Sequence, residues 1–466
     1  MAHFSNQSNK KKAHNIIEKQ LSNIKAIFSP NHIDLIARET KFTLRSSKIS
    51  AYNFLLTMLL ESLDMSHSSL QKMCDTLKKL THKKQIAPQS LMERINSTES
   101  VNFLKKVYEN ALKEKFSKLS EVPAELLCNF SKVLLQDSST INLNERLHKE
   151  FKGSGGRSSK SAVKLDVIYD YKGKNYEYIK VTDQKEADQQ LAVNIFDCLT
   201  ENNLVIRDLG YLNVANLINI ISRNAFYLSR LRSDTLVFLN EDDENPIDIF
   251  EHISKNYKYF NVIDLEVFIT AKKLKTRLVV YKAPLEVVNE RHRVARATAK
   301  KQGRTLREKT LRQMNFTIFI TNVTKEIWKT EVIGTIYRIR WQIELIFKNW
   351  KSKINIDYLK GINPNRIKCL IYIHLILAFF INSIYKLADL LAIRFLEKNI
   401  SMSKVYNWIK NPERLLKLIK GKTSEWEKRT FLDTVSKAMC MQKRTRKNTL
   451  EQVCEGVYFG VQEVLA

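Results

Sequence analysis

Val133-Leu134-Leu135-Gln136-Asp137 is a short apolar run that ends in a carboxylate, and the segments after it decide how the chain folds. Val163 to Tyr171 and Tyr176 to Thr182 alternate in the β manner, with Lys172-Gly173-Lys174-Asn175 between them as a turn. These three runs predict an antiparallel meander. Ala187 to Asn202 then has helical spacing, Leu204-Val205-Ile206-Arg207-Asp208 is a second short strand ending in a carboxylate, Val214 to Arg223 is helical again, and Ala225 to Leu231 makes a fifth strand. The order βββαβαβ predicts a mixed α/β core, hairpin-linked in its front half and crossover-linked behind.

On the N-terminal side, residues up to about 127 contain no glycine and space their apolar residues helically, as in Leu21, Ile24 and Ile27 or Phe54, Leu55, Met58 and Leu59. Ser29-Pro30-Asn31 is a helix-start signal. On the C-terminal side, the pattern breaks at about 233 to 324, where Val262 to Thr270, Arg277 to Tyr281 and Phe316 to Thr321 predict an inserted, mostly β segment. Within it, residues 286 to 312 carry nine basic against three acidic side chains, including Arg291, Arg293, Arg296, Lys300, Lys301, Arg304 and Arg307. Such a run either tracks phosphates or is a solvated helix face. After Lys325 helical spacing returns, and the apolar run Cys369 to Ile381 reads as a buried helix too short to span a bilayer.

The chain has 466 residues, enough for about three domains and a large core. Its 77 Lys and Arg against 49 Asp and Glu leave a net charge of +28, a self-repulsion that a polyanion relieves. Nucleic acid is the usual polyanion, and an anionic membrane surface is the alternative. Six dispersed cysteines lack metal or redox spacing and read as buried thiols of a reducing compartment; no signal peptide is visible after Lys10, Lys11 and Lys12.

Chemistry concentrates in Tyr337-Arg338-Ile339-Arg340-Trp341-Gln342-Ile343-Glu344-Leu345-Ile346-Phe347-Lys348-Asn349-Trp350-Lys351. On one continuous helix, Tyr337, Arg340, Glu344, Lys348 and Lys351 would share roughly an 80° arc beside an apolar face, a row about 20 Å long. An acid among cations and a phenol suits a phosphodiester: Glu344 holds a divalent cation while the cations meet phosphate oxygens. An exposed face carrying an Arg340–Glu344 pair is the bland alternative. Asp137 and Asp208 shift the balance, because acids at adjacent strand ends repel unless divalent metal neutralises them, which implies a two-metal site.

This constellation resembles the DDE transposases of bacterial insertion sequences, specifically the IS-four group of cut-and-paste enzymes. The resemblance rests on Leu134-Leu135-Gln136-Asp137-Ser138-Ser139, on Ile206-Arg207-Asp208-Leu209-Gly210-Tyr211, and on the signature Y-(2)-R-(3)-E-(6)-K, matched by Tyr337, Arg340, Glu344 and Lys351. It implies an RNase H-like catalytic core at 128–355 with the β-rich insertion, a helical DNA-binding domain at 1–127, and a helical domain at 356–466 suited to dimerisation. It also implies Asp137, Asp208 and Glu344 as catalytic metal ligands for two Mg²⁺ ions, with Mn²⁺ able to substitute, and Tyr337, Arg340, Lys348 and Lys351 as DNA contacts. The implied activity is cleavage at terminal inverted repeats and strand transfer into target DNA by a homodimer in the nucleoid-associated cytoplasm, with no membrane partner. A catalytically silent protein occupying element ends and an RNase H-like nuclease that cuts without joining are the alternatives.

Other candidates carry less. Gly421-Lys422-Thr423 lacks the upstream glycine of a phosphate loop. Asp166 and Asp170 read as surface or turn acids, His292 and His374 as packing or surface residues, and Trp328, Trp341 and Trp350 as core residues, with stacking on an extruded base as the alternative.

Overall fold

A computed structural model describes residues 7–44, 49–82, 86–113, 125–155, 159–257, 260–421 and 424–441. The N-terminal region is helical: α1 (Gln7–Ile27), α2 (Pro30–Glu39), α3 (Ala51–Ser62), α4 (Leu70–Thr81), α5 (Pro88–Ile95) and α6 (Thr98–Lys113). The Ser29 hydroxyl caps α2 by accepting from the His32 N–H, as the Ser-Pro-Asn signal requires.

The core strands are β1 (Lys132–Asn142), β2 (Ala162–Asp170), β3 (Asn175–Asp183), β4 (Asn203–Arg207) and β5 (Phe226–Arg230). Between them, the stretch predicted as a helix from 187 to 202 is only the single turn α7 (Asp188–Leu191) followed by a 3₁₀ segment, while α8 (Val214–Ile221) forms as its spacing requires. The insertion contributes β6 (Val237–Phe238), α9 (Ile249–Asn256), β7 (Val262–Ile269), β8 (Leu274–Lys282), α10 (Leu285–Lys301), α11 (Glu308–Gln313) and β9 (Phe316–Thr321).

Among the described residues these strands make one nine-stranded sheet in the order β3-β2-β1-β4-β5-β9-β8-β7-β6. Within it β1, β2 and β3 pair antiparallel, β1, β4 and β5 pair parallel, and β9 pairs antiparallel with β5. The fold is therefore mixed α/β, its first five strands being the predicted meander followed by two crossovers. The insertion's strands extend the same sheet. Both sheet faces are buried. Val133, Leu135 and Ile206 pack into the large helical core, whereas Leu134, Val205 and Tyr227 point into a second core under α8 and α9.

The remaining helices are α12 (Ile333–Tyr337), α13 (Trp341–Lys353), α14 (Pro364–Leu396), α15 (Met402–Ile409), α16 (Pro412–Lys420) and α17 (Glu425–Thr434). Helix α14 is long and apolar enough to cross a membrane, yet 89% of its most apolar window is buried inside the protein. Its face toward β2 and β3 is polar. Asp389 pairs with Lys174, Lys386 Nζ donates to Asn175 Oδ1 at 2.6 Å, and Asn382 Nδ2 donates to the Lys174 carbonyl at 2.8 Å. The β2–β3 turn is thereby held against the helix. Gly173 is required in that turn because a Cβ there would collide with the Asp170 carboxylate, which accepts the Gly173 N–H.

Two readings need correction. Asp166 is neither a surface nor a turn acid but fully buried in mid-strand, whereas Asp170 is the turn acid expected of it, though buried. Of the cysteines, Cys74, Cys369 and Cys440 are buried, Cys198 is half-buried and Cys128 is exposed; Cys454 lies outside the described residues, as does the basic cluster Lys443, Arg444, Arg446 and Lys447.

Candidate active site

Parallel pairing of β1 with β4 runs from Lys132↔Asn203 to Gln136↔Arg207, so the next residue on each strand is Asp137 on one and Asp208 on the other. Alternation sends both acids to the face that carries Val133, Leu135 and Ile206. Asp208 follows the last residue of β4, as predicted. Asp137 does not end its strand. Past Gln136, β1 loses β4 but continues to pair with β2 as far as Asn142↔Ala162, because Ser138, Ser139, Thr140 and Ile141 still suit an extended ladder.

The third carboxylate arrives from helices packed on that face. The predicted single helix is broken into α12, a 3₁₀ turn at Arg338–Arg340 and α13, with Ile339, Ile343, Ile346 and Trp350 buried as its anchor. The break brings Arg340 over the acids. Its Nη2 lies 2.6 Å from Glu344 Oε1, Nη1 lies 3.5 Å from Asp137 Oδ2, and Nε lies 3.9 Å from Asp208 Oδ1. Tyr337 reaches the strand end, its hydroxyl donating to the Arg207 carbonyl at 3.4 Å, and Lys351 Nζ donates to the Thr140 carbonyl at 3.2 Å. Lys348 departs from the row: it is exposed and lines a cavity with Gln342, Ser352, Tyr169 and Tyr385 that none of the three acids lines.

Burial pushes the Asp137 carboxyl up to about 6, and the charges of Asp208 and Glu344 push the same way. The Ser138 N–H, 2.8 Å from Asp137 Oδ1, and the Arg340 guanidinium oppose them. Among the described residues no three carboxylate, imidazole or thiol groups stand close enough to grip a metal ion as arranged. The guanidinium is the cation between them. A donor set of three carboxylates around one positive charge fits a hard divalent cation and does not suit a thiolate- or imidazole-seeking one.

Other residues fall elsewhere. Trp328 and Trp350 are buried, but Trp341, predicted as core, is 55% exposed beside Arg340 at the first residue of α13. In the basic run, Arg291 is a strut that donates to the Met314 carbonyl at 3.0 Å and to Thr317 Oγ1 at 3.1 Å, and Arg293 pairs with Glu290. Arg296, Lys300, Lys301, Arg304 and Arg307 are exposed. His292 contacts the Leu311 carbonyl and His374 is buried, both structural. Gly421 is the left-handed cap that ends α16, at φ 60°, while Lys422 and Thr423 lie outside the described residues. Sequence reasoning passed over Gln136 and Arg207, although they neighbour the two strand acids and lie fully or nearly buried.

The family profile for the transposase DDE domain matches residues 129–380, more than half of the chain and the whole of the site. The transposase of insertion sequence element IS231E from Bacillus thuringiensis subsp. finitimus is 28% identical over 381 residues, covering 78% of this chain and 79% of its own. That of IS231F from Bacillus thuringiensis subsp. israelensis is 27% identical over 446 residues, covering 87% and 92%. That of IS1151 from Clostridium perfringens is 26% identical over 399 residues, covering 82% and 84%. A piggyBac transposase synaptic complex with hairpin DNA aligns with 92% of this chain and 87% of its own at 10% identity and a TM-score of 0.40, a likeness too distant to carry an argument.

Proposed function

The chain belongs to the transposase DDE domain family, and from that premise we propose that Asp137, Asp208 and Glu344 are the acids at which this insertion-sequence DNA transposase cuts and joins DNA. One observation carries the reading: three carboxylates from two parallel strands and a helix far along the chain converge on the guanidinium of Arg340. Like charges gather in this way only where a cation offsets their repulsion. The finer assignment to the IS-four group is supported by Tyr337, Arg340, Glu344 and Lys351 standing at that group's spacing.

The family uses divalent metal, and in our reading the three acids hold two Mg²⁺ ions, for which Mn²⁺ substitutes. Metal bound there supplies Lewis acidity to the scissile phosphate and to the attacking oxygen. The protein groups do the positioning. Asp137 and Asp208 are fixed by the sheet, Glu344 by the buried face of α13, and Arg340 exchanges its carboxylates for a phosphate oxygen when DNA enters. Lys351 and Tyr337 hold flanking phosphates from the same side, Lys348 meets a phosphate further out, and exposed Trp341 is free to stack on a base.

The reaction is cleavage at terminal inverted repeats, formation and opening of a hairpin, and attack of the freed 3′-OH on a target phosphorus, whose bond to the departing 3′ oxygen breaks as the new one forms. Residues 1–127 and 356–466 serve end recognition and dimerisation around the core at 128–355, and the protein acts as a homodimer on DNA in the nucleoid-associated cytoplasm. The test compares wild type with Glu344→Gln, both with Mg²⁺, on labelled DNA carrying the inverted repeats that flank the gene. Hairpins and joined products from wild type alone, with both proteins binding DNA, are the expected result. Cleavage by Glu344→Gln at the wild-type rate overturns the site. Binding without any cut by wild type points to a silent end-binding protein, and cuts without joined products to a nuclease.

A further inference from the structure

The strands that carry Asp137 and Asp208 carry, one residue earlier and on the opposite face, Gln136 and Arg207. That face is buried, and the two polar side chains are not isolated in it. Arg207 Nη1 donates to Gln136 Oε1 at 3.2 Å and to the Ala192 carbonyl at 2.9 Å. Gln136 Nε2 donates to the Leu191 carbonyl at 2.9 Å and lies 3.2 Å from Asp166 Oδ2. Asp166, on the neighbouring strand β2 and inaccessible to solvent, also accepts from Asn194 Nδ2 at 2.9 Å and from the Tyr211 hydroxyl at 3.1 Å. A buried carboxylate and a buried guanidinium thus balance one another through one amide, and the remaining bonds tie in two segments, the stretch from Leu191 to Asn194 by three of them and the turn that holds Tyr211 by the fourth.

The segments tied are those that set the acids. Gln136 fixes β1 at the residue before Asp137, Arg207 fixes β4 at the residue before Asp208, and Tyr211 ends the 3₁₀ turn that Asp208 begins. We propose that Asp166, Gln136, Arg207 and Tyr211 are positioning residues that fix the two pieces of backbone from which Asp137 and Asp208 reach a divalent cation. A hydrophobic pack under the strands would supply the same stability. Directional bonds to the neighbouring residue on each strand and to the Asp208 turn also fix the backbone from which the two carboxylates project. The inference rests on the reading that Asp137 and Asp208 bind metal.

The test measures Mn²⁺ binding to the full-length protein by electron paramagnetic resonance of the free ion, with and without inverted-repeat DNA, alongside DNA affinity and the Mn²⁺ concentration for half-maximal cleavage. Four variants are compared with wild type at a temperature where circular dichroism shows each to be folded: Tyr211→Phe, Asp166→Asn, the double variant Asp166→Asn with Gln136→Glu, and Asp137→Asn. Tyr211→Phe and Asp166→Asn are expected to bind Mn²⁺ about tenfold more weakly and to need correspondingly more for cleavage, with DNA affinity unchanged. The double variant returns a carboxylate to Arg207 but gives up the Gln136 bond to the Leu191 carbonyl, and is expected to recover part of the loss. Should Asp166→Asn not fold, Tyr211→Phe, which loses one hydroxyl, decides alone. Wild-type Mn²⁺ affinity in the folded single variants, with Asp137→Asn impaired, overturns this inference and leaves the site standing. Wild-type affinity in Asp137→Asn overturns the site itself, and this inference with it.

Discussion

Arg340 is the residue on which the site turns, because its one positive charge faces three negative ones from different elements. Removing it from the metal-free protein leaves Asp137, Asp208 and Glu344 to repel one another. Arg340→Ala should therefore lose on the order of 1 kcal/mol in EDTA, for groups that water partly screens, which in a chain of this length lowers the melting temperature by about 1 °C. Mn²⁺ should restore most of that loss and bind the DNA-free variant severalfold tighter than it binds wild type. Equal melting in EDTA and equal Mn²⁺ affinity would remove Arg340 from this role. Lys351 is the contrasting case, since it touches a strand carbonyl and no acid. Lys351→Ala should weaken assembly of the complex with end DNA more than binding to unrelated DNA, which a gel-shift comparison would read, and parallel losses on the two DNAs would sink its phosphate role. At this scale the spacing of Tyr337, Arg340, Glu344 and Lys351 was legible because all four fall in one short stretch of chain, although the helix there is broken. The burial of Asp166 was not, because it depends on β2 lying beside β1 with side chains from Asn194 and Tyr211 closing over it.

The elements around the site were legible where one face of one segment decides their form. The meander, β4, α8 and β5 all follow from apolar alternation or helical spacing within a few residues. Where partners decide, the sequence is silent: β1 runs on past Asp137 because β2 offers a ladder, and the helix before Arg340 tightens to 3₁₀ as Ile339 and Ile343 both bury. Helix α14 shows the same limit. Its apolar run announced burial, yet nothing local announced that Asp389 would meet Lys174 in a buried contact. Asp389→Ala should cost about 3–5 kcal/mol in denaturant unfolding, since it strands a buried ammonium, whereas the double replacement Asp389→Leu with Lys174→Met should recover much of the loss. A single variant as stable as wild type would show the pair to be idle. Further back on α14, burial holds His374 neutral and lowers its imidazole to about 4, against an ordinary value near 6.5. The unfolded chain then binds more protons than the folded one between those values. Stability from this group is complete above pH 6.5 and is lost as pH falls toward 4, on the order of 3 kcal/mol over that window. His374→Phe should flatten this part of the stability profile, and an unchanged slope between pH 6.5 and 4 would assign it to other groups.

For the whole molecule the ruling quantity is charge. The net +28 already counts the three acids of the site, so this excess is left for the partner to meet, and for DNA that makes affinity fall steeply with salt. The fold distributes the work: one nine-stranded sheet carries Asp137 and Asp208 at β1 and β4, and the insertion that extends this sheet adds α10 and the loop after it. Of the nine basic residues in that run, Arg291 is spent on carbonyls and Arg293 on Glu290, a division that the sequence could not reveal because all are equally basic. Arg296, Lys300, Lys301 and Arg304 are exposed and carry no such duty. If they meet phosphates, replacing all four with alanine should lower the slope of log affinity against log salt by about 3 to 4, near 0.9 for each phosphate left without its cation. Thermal unfolding and the Mn²⁺ requirement for cleavage should stay as in wild type, since none of the four touches the site. A slope equal to wild type would make α10 a solvated face and would move the DNA track to the helical regions that flank the sheet in the sequence.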